Sequence, residues 1–356
     1  MIPVTKPFLP PLNDYQNYVS GIWDRNWLTN NGPLVQELEK KLKDYLGVAQ
    51  IFFTGNGTIA IQIGLKSLGL TKEIITTPFS YVATTSSIIW EGCIPVFADI
   101  KENDFNIDPE KIEEAITPDT EAILATHVYG NPCDVNAIAD IAKRHNLKII
   151  YDGAHAFGCN YNGKSLLAYG DVTTCSFHAT KVFHTVEGGA IICHDNAVAA
   201  HVSLQRSFGH VGDEHFAVGI NGKNSEFHAA MGLCNLVHLE QIINSRKAIS
   251  SWYDELLHSS LQRPAALPGT EYNYAYYPVV LPSEAVLNKV VDQLNKKNIY
   301  PRRYFYPSLN TLSYLTDKKA CLVSENYSLR VLSLPLYVGL LQDEVEQISR
   351  IINSCI

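Results

Sequence analysis

Short apolar runs alternate with amphipathic stretches through the first half of the chain. The run at 51–53 is typical of a buried strand, whereas the apolar residues of 35–46 recur at helical spacing. Strands that alternate with helices indicate βαβ units and a mostly parallel sheet, and the short separation of 172–177 from 190–193 predicts a mixed sheet there. We predict strands at 51–53, 74–75, 95–98, 122–125, 148–151, 172–177 and 190–193, and helices at 35–46, 59–68, 81–90, 109–116 and 135–145.

The second part of the chain has a different pattern. A long helical stretch over 225–261 predicts a connection between two domains, and 356 residues are more than one hydrophobic core usually serves. We therefore expect a large α/β domain at 1–240 and a smaller α+β domain at 241–356. The smaller domain is predicted from a strand at 276–281 and helices at 287–297 and 344–352.

The composition and charge exclude several classes of protein. Hydrophobic residues make up 46% and charged residues 18%, which is typical of soluble globular proteins. A net charge of −8 argues against a nucleic-acid-binding protein, and no apolar run approaches the length of a membrane helix. The eight cysteines form no Cys-x-x-Cys pair, so we expect no metal site and no disulfide framework. We expect a cytoplasmic protein without membrane or nucleic-acid partners.

Polar residues follow three of the predicted strands where each strand ends. They are Gly57-Thr58, the segment 152–155 and the segment 176–181. Ligands of open α/β sheets bind at the carboxyl ends of the strands. The three segments are therefore candidates for a single ligand site.

Asp152 and Lys181 carry the most specific chemistry. A lysine on a turn after one strand, with an aspartate at the end of another, is an arrangement that holds pyridoxal phosphate in many enzymes. The lysine amine binds the aldehyde, and the aspartate pairs with the pyridinium nitrogen. A solvated lysine and a structural ion pair or helix cap at Asp152 are the alternatives.

Gly57 and Thr58 open a predicted helix and offer a phosphate site. Free N–H groups at a helix N-terminus, together with a threonine hydroxyl, bind phosphate readily. An ordinary turn with Thr58 as N-cap is the alternative. The sequence around Gly55 matches neither the dinucleotide fingerprint nor the P-loop, which disfavours nicotinamide chemistry.

Together these segments resemble the DegT/DnrJ/EryC1/StrS sugar aminotransferase family. The resemblance implies the type I, aspartate aminotransferase-like fold of pyridoxal-phosphate enzymes: a large domain with a mostly parallel mixed sheet and a smaller C-terminal α+β domain. The matching segments span most of the chain and are more scattered in its last third. They are 27–29, 56–58, 77–84, 95–99, 127–130, 152–155, 176–181, 187–189, 219–221 and 334–337.

The resemblance implies a role for each matching site residue. Lys181 is then the lysine that binds the cofactor and moves a proton between the substrate carbon and the cofactor C4′, and Asp152 holds the ring nitrogen. The remaining roles concern the ring, the phenolic oxygen and the phosphate. His155 binds the phenolic oxygen, Ala154 and Tyr81 cover the two ring faces, and Gly57, Thr58 and Ser176 bind the phosphate, with Asn221 added from the neighbouring subunit of a homodimer.

The resemblance also implies a reaction. Among family members, the chain is most similar to those that aminate dTDP-4-dehydro-6-deoxy-D-glucose at C4, with L-glutamate as donor, for O-antigen or other surface polysaccharide. Amination at C3 of a dTDP sugar and amination of a UDP-linked keto sugar are alternatives. A sugar dehydratase of the same fold is disfavoured because those enzymes carry histidine at the position of Lys181. A sensor or scaffold that keeps the fold is disfavoured because Lys181, Asp152 and Thr58 are all retained.

Two residues depart from the family pattern. Gly153 stands where alanine is common, and we expect the missing methyl group to be tolerated. Lys223 stands where arginine is often found, close to Asn221. His184 and Glu187 also lie near Lys181 in the sequence, with a structural role as the alternative to a catalytic one. The aromatic residues Trp23, Trp27 and Tyr306 are candidates for stacking on a base or sugar, with core packing as the alternative.

Overall fold

The computed structural model describes residues 1–315 and 319–356. A seven-stranded sheet forms its centre, with strand order β2-β10-β9-β6-β5-β3-β4. Four neighbouring pairs are parallel, and β10 is antiparallel to both β9 and β2, so the predicted mixed end of the sheet is confirmed. These strands are β2 (Gln50–Thr54), β3 (Glu73–Thr76), β4 (Ile94–Phe97), β5 (Thr120–Thr126), β6 (Lys148–Asp152), β9 (Val172–Ser176) and β10 (Gly189–Cys193).

Helices cover both faces of this sheet. Alternate residues of one strand point to opposite faces, and here Ile150 packs with one helical layer while Tyr151 packs with the other. Burial of both faces explains why the strands read as continuous apolar runs. The helices are α1 (Leu12–Arg25), α2 (Pro33–Leu46), α3 (Gly57–Ser67), α4 (Val82–Trp90), α5 (Pro109–Glu114), α6 (Val135–His145), α7 (Asn196–Gln205), α8 (Glu226–Val237), α9 (Leu239–Leu256), α10 (Glu284–Asn295), α11 (Leu322–Arg330) and α12 (Gln342–Asn353).

A second hydrophobic core lies beyond the sheet. It gathers residues of α9, α10 and α12 around a two-stranded sheet of β14 and β16. Helix α9 contributes Ile242 to the first core and Tyr253 to the second, so it joins the two. These contacts support our proposal of a division near residue 240. The remaining strands are β1 (Ile2–Pro3), β7 (Asn160–Tyr161), β8 (Lys164–Ser165), β11 (His210–Val211), β12 (Glu214–His215), β13 (Thr270–Glu271), β14 (Tyr277–Val280), β15 (Ile299–Tyr300) and β16 (Val331–Leu334).

Two features differ from the sequence prediction. The long helical stretch over 225–261 is two helices, and His238 separates them with non-helical backbone angles. The first strand, β1, pairs in parallel with β15 of the second core, although it belongs to the first residues of the chain. The break at His238 has no Gly or Pro beside it, and the pairing of β1 joins segments nearly 300 residues apart in the sequence.

The carboxyl ends of the parallel strands meet at one edge of the sheet. Thr126, Asp152 and Ser176 end β5, β6 and β9, and Gly189 of β10 lies opposite both Ser176 and Thr54 of β2. This edge therefore collects the segments that the sequence singled out.

All eight cysteines lie in the part of the chain that the structure describes, where each is buried and forms no disulfide. Within 1–315 and 319–356, no helix combines the length and apolar character that a membrane span requires. The same ranges contain no cluster of His, Cys, Asp and Glu with the make-up of a metal site.

Candidate active site

A cavity of about 260 Å³ opens at the carboxyl edge of the sheet. Eight of the nine predicted site residues line it, and Asn221 is the exception. The eight come from four separate parts of the chain, which the sheet brings to one edge. They are Gly57, Thr58, Tyr81, Asp152, Ala154, His155, Ser176 and Lys181.

The N-terminus of α3 forms one end of the cavity. Asn56 caps the helix, and its side-chain oxygen accepts a hydrogen bond of 2.8 Å from the Ile59 amide. A Cβ atom on Gly57 would lie 3.0 Å from Cβ of Ser176, so the close approach of these two segments favours glycine. The first amides of a helix have no partner within it, and together with the hydroxyls of Thr58 and Ser176 they offer an anion site.

Asp152 lies at the floor of the cavity and is 5% exposed. One carboxylate oxygen accepts a 2.7 Å hydrogen bond from the Thr84 hydroxyl, and the other accepts one of 3.0 Å from the Ala154 amide. Burial raises the pKa of Asp152, while these two hydrogen bonds and the charge of Lys181 lower it. The carboxylate is thus held in place beside a space that can receive a cation.

Lys181 lies on the turn that follows β9. Its amide donates to the carbonyl of His178, and its Nζ lies 3.3 Å from the Tyr276 hydroxyl. Burial lowers the pKa of Lys181, and the nearby Tyr304 and Asp152 act in the opposite direction. A lowered pKa increases the fraction of neutral amine, which is the form that attacks a carbonyl.

His155 is buried within a group of aromatic rings. Its ring centroid lies 4.6 Å from that of Tyr276 and 5.6 Å from that of Phe305. Burial lowers the pKa of His155 well below its usual value, so the imidazole is neutral. Its Nδ1 is buried and has no hydrogen-bond partner among the described residues. A buried, unpaired ring nitrogen beside a cavity indicates a ligand atom as its missing partner.

These groups fit pyridoxal phosphate. The helix N-terminus matches the phosphate, the Asp152 carboxylate a pyridinium nitrogen, and the Lys181 amine an aldehyde. The unpaired nitrogen of His155 matches a phenolic oxygen. Each match uses a charged or hydrogen-bonding group of a residue that lines the cavity.

The cavity also contains residues that sequence reasoning did not single out. Arg302, Tyr304 and Phe305 reach it from the loop after β15, and Tyr276 reaches Lys181 from the segment before β14. The run of basic and aromatic residues at 302–306 is a sequence signal that could have found the loop. Tyr276 has no such signal, because its neighbours are also tyrosines.

Four of the five other candidates lie away from the cavity. Trp23 is 63% exposed and packs its edge on Phe227, while Tyr306 lies under the guanidinium of Arg303. His184 is buried and binds the carbonyl of Phe8, which is a structural role. The stacking candidate Trp27 is 45% exposed and its indole N–H donates to the carbonyl of Thr29. Glu187 lines the cavity.

Asn221 is exposed and does not line the cavity. Its backbone forms an isolated bridge with Ser207, and the next residue, Gly222, accepts a hydrogen bond from the Gly55 amide. Exposed apolar side chains flank it on the neighbouring hairpin. They are Phe208, Val211, Phe216, Val218 and Ile220, each between 43% and 80% exposed.

Gly153 is more constrained than its sequence context indicates. A Cβ atom there would lie 2.4 Å from Cδ2 of Leu167 and 3.0 Å from the carbonyl oxygen of Thr174. We therefore expect Gly153→Ala to lower the free energy of unfolding by about 1–3 kcal/mol, because overpacking a tight interior forces neighbouring groups to move. Urea denaturation of the apoprotein measures this change.

The matched control is Gly55→Ala. A Cβ atom on Gly55 would meet only ordinary contacts, at 3.7 Å or more. We expect this variant to unfold close to the wild-type urea concentration. Equal unfolding midpoints for Gly153→Ala and the wild type would contradict the predicted crowding.

Comparison with known proteins places the chain among sugar aminotransferases. A model of the DegT/DnrJ/EryC1/StrS aminotransferase family matches residues 12–353. The dTDP-4-amino-4,6-dideoxy-D-glucose transaminase of Shigella dysenteriae is 42% identical over 353 residues, 97% of this chain and 96% of the relative. The enzyme of the same name from Escherichia coli is 40% identical over 366 residues, 99% of this chain and 98% of the relative.

The fold agrees with a solved structure over nearly its whole length. A crystal structure of DesI in the presence of its TDP-sugar product matches with a TM-score of 0.94 at 30% sequence identity, covering 99% of this chain and 92% of that chain. The sequence predicted an α/β protein with the type I fold of pyridoxal-phosphate enzymes and a mostly parallel mixed sheet. This prediction is confirmed.

Proposed function

This chain belongs to the DegT/DnrJ/EryC1/StrS aminotransferase family, and on that premise we propose that it aminates C4 of a dTDP-linked 4-keto-6-deoxyglucose with pyridoxal phosphate as cofactor. The observation that carries the proposal is one cavity in which the Lys181 amine, the Asp152 carboxylate and a helix N-terminus converge. The names of the relatives from Shigella dysenteriae and Escherichia coli support the sugar.

Each side chain of the cavity has a proposed task. Pyridoxal phosphate, when bound, supplies an aldehyde that carries the amino group and a ring that accepts negative charge. Gly57, Thr58 and Ser176 would hold its phosphate, and His155 would donate to its phenolic oxygen. Asp152 would hold a proton at the ring nitrogen, which keeps the ring electron-poor. Ala154 and Tyr81 would cover the two ring faces.

Lys181 would perform both the binding and the proton transfer. Its neutral amine would hold the aldehyde until an amino-acid donor displaces it. The freed amine would then take a proton from the donor carbon and deliver it to C4′, and reverse this transfer with the sugar. A partly desolvated amine with a lowered pKa suits both tasks, because a larger fraction of it is neutral and free to accept a proton.

The proposal extends to the donor, location and pathway that the resemblance implies. We propose L-glutamate as the amino donor and the cytoplasm as the location. The aminated sugar would serve the synthesis of O-antigen or another surface polysaccharide.

A panel of keto sugars tests the proposed reaction. Purified protein, pyridoxal phosphate and glutamate are mixed with dTDP-4-dehydro-6-deoxy-D-glucose, its 3-keto isomer, and UDP- and GDP-linked 4-keto sugars. We expect NMR to identify the 4-amino product of the dTDP sugar. A 3-amino product, or preference for a UDP or GDP sugar, would replace the proposed substrate, and an unaminated panel would overturn amino transfer.

Asn221 supports a proposed homodimer with shared active sites. It is absent from the cavity of its own chain, and the exposed apolar hairpin beside it suits an interface between two copies. We propose that Asn221 of one subunit contributes to the phosphate site of the other. The proposal requires that neither subunit is complete alone.

Mixing two inactive variants tests this sharing. Lys181→Ala and Asn221→Ala homodimers should each have low activity, whereas their mixture after subunit exchange should recover about a quarter of wild-type activity. The recovery arises because each mixed dimer has one site with both an intact Lys181 and an intact Asn221. Absence of recovery, in mixtures whose exchange native mass spectrometry has verified, would place Asn221 outside the partner's site.

A further inference from the structure

Three buried hydroxyl groups form a continuous chain that ends on Asp152. The Thr126 hydroxyl lies 3.0 Å from that of Ser80, Ser80 lies 2.8 Å from Thr84, and Thr84 lies 2.7 Å from Oδ2 of Asp152. None of the three residues is more than 2% exposed. Thr126 ends β5, Ser80 lies in the loop after β3, and Thr84 lies in the first turn of α4.

The carboxylate of Asp152 fixes the direction of every hydrogen bond in this chain of hydroxyl groups. An ionised carboxylate only accepts hydrogen bonds, so the single proton of the Thr84 hydroxyl points to Asp152. The Ser80 hydroxyl must then donate to Thr84, and Thr126 donates to Ser80. Each hydroxyl is polarised by the one behind it, which strengthens the last bond to the carboxylate.

The chain of hydroxyl groups counteracts the effect that burial has on the protonation of Asp152. Taking the carboxylate out of water favours its protonated form, whereas a hydrogen bond donated by Thr84 favours the charged form. The second oxygen of Asp152 already accepts the Ala154 amide. Thr84 is therefore the side chain that completes the hydrogen bonding of the anion.

We propose that Thr84, backed by Ser80 and Thr126, is a positioning residue that keeps Asp152 ionised and thereby keeps the proton on the cofactor ring nitrogen. The inference rests on the proposed function, because it requires Asp152 to face that nitrogen. Without the Thr84 hydroxyl, the carboxylate is a stronger base. The proton then moves from the ring nitrogen to Oδ of Asp152, and the ring accepts less negative charge.

The structure supplies a matched control in the adjacent residue. Thr85 lies on the same helix, is 0% exposed like Thr84, and its hydroxyl has no hydrogen-bond partner among the described residues. Thr84→Val and Thr85→Val therefore make the same chemical change in the same helix. Only the first removes a donor from Asp152.

The test in the holoenzyme follows the ring proton directly. Nitrogen NMR of pyridoxal phosphate labelled at the ring nitrogen reports its protonation. In Thr84→Val we expect the signal to move toward the unprotonated value and kcat to fall about tenfold. Ser80→Ala should move both in the same direction by less, and Thr84→Ser, which retains the hydroxyl, should stay close to the wild type.

The apoprotein provides a separate readout without the cofactor. Infrared titration, with Asp152→Asn as the reference, measures the pH at which Asp152 protonates. We expect Thr84→Val to protonate at a higher pH than the wild type. Lys181 and Cys175 lie close enough to Asp152 to affect its charge. These two residues and the other titratable side chains of the cavity are unchanged in every variant; the others are Tyr81, His155, His178, Glu187, Arg302 and Tyr304.

The two readouts separate the inference from the proposed function. An unchanged ring-nitrogen signal and an unchanged Asp152 titration in Thr84→Val would overturn the inference, as would equal effects of Thr85→Val. If the wild type binds no pyridoxal phosphate, the proposed function fails, and the infrared titration still decides whether the hydroxyl chain stabilises the anion. Circular dichroism verifies that each variant is folded.

Discussion

Lys181→Ala should lower kcat/KM for amino transfer at least about 10⁴-fold, because one residue both binds the cofactor and moves the proton. The variant should also lose the adduct that borohydride reduces. In the wild type, borohydride treatment with pyridoxal phosphate should add the cofactor mass to the peptide that contains Lys181. Absorption spectroscopy should show the corresponding band disappear in the variant.

A second lysine provides the control for this result. Lys164 lies on strand β8 with its amine over the ring of Tyr169, away from the cavity. Lys164→Ala should retain the adduct and wild-type activity. A Lys181→Ala protein that still forms a borohydride-reducible adduct would remove the central assignment of the site.

The position of Lys181 could be predicted because it depends on local sequence. Asp152 ends the apolar strand β6, and Lys181 lies on the turn after β9. In a parallel arrangement such strand ends meet at one edge, so proximity in space follows from the order of elements. The order of elements also places Gly57 and Thr58 at this edge, whereas Tyr81 and Asn221 were assigned to the site only through the family resemblance.

The hydroxyl chain could not be predicted in the same way. Thr84, Ser80 and Thr126 lie on three elements, and nothing in their spacing indicates that they touch. Serine and threonine are also common in strands and helix starts for local reasons. Their function depends on side-chain directions that only the packed structure defines.

The differences in the fold have the same origin. His238 interrupts the predicted helical stretch without Gly or Pro, close to Asn235, whose buried amide donates to the carbonyl of His184. Strand β1 pairs with β15 nearly 300 residues later. Helical periodicity describes one segment at a time, so contacts of this range leave no trace in it.

Asp152→Asn should lower kcat by about 10³-fold while leaving the fold intact. The substitution keeps the size of the side chain and removes its charge, so nothing then holds the proton at the ring nitrogen. The hydroxyl chain can still form its hydrogen bonds in this variant, so we expect the variant to fold. The asparagine amide can donate to Thr84, Thr84 to Ser80 and Ser80 to Thr126, so that every hydrogen bond is kept with its direction reversed.

The raised pKa of Asp152 determines how the stability of apo Asp152→Asn should compare with that of the wild type. Burial raises that pKa, so the folded apoprotein binds the proton more readily than the unfolded chain and loses stability as the pH rises through the raised value. The neutral amide removes this loss, and apo Asp152→Asn should unfold at the wild-type urea concentration or above it at neutral pH.

Asp104→Asn is the control, because Asp104 is 2% exposed, has a pKa raised by burial and lies outside the cavity. It should leave kcat unchanged, and a kcat for Asp152→Asn within about tenfold of the wild type would show that the ring nitrogen needs no carboxylate.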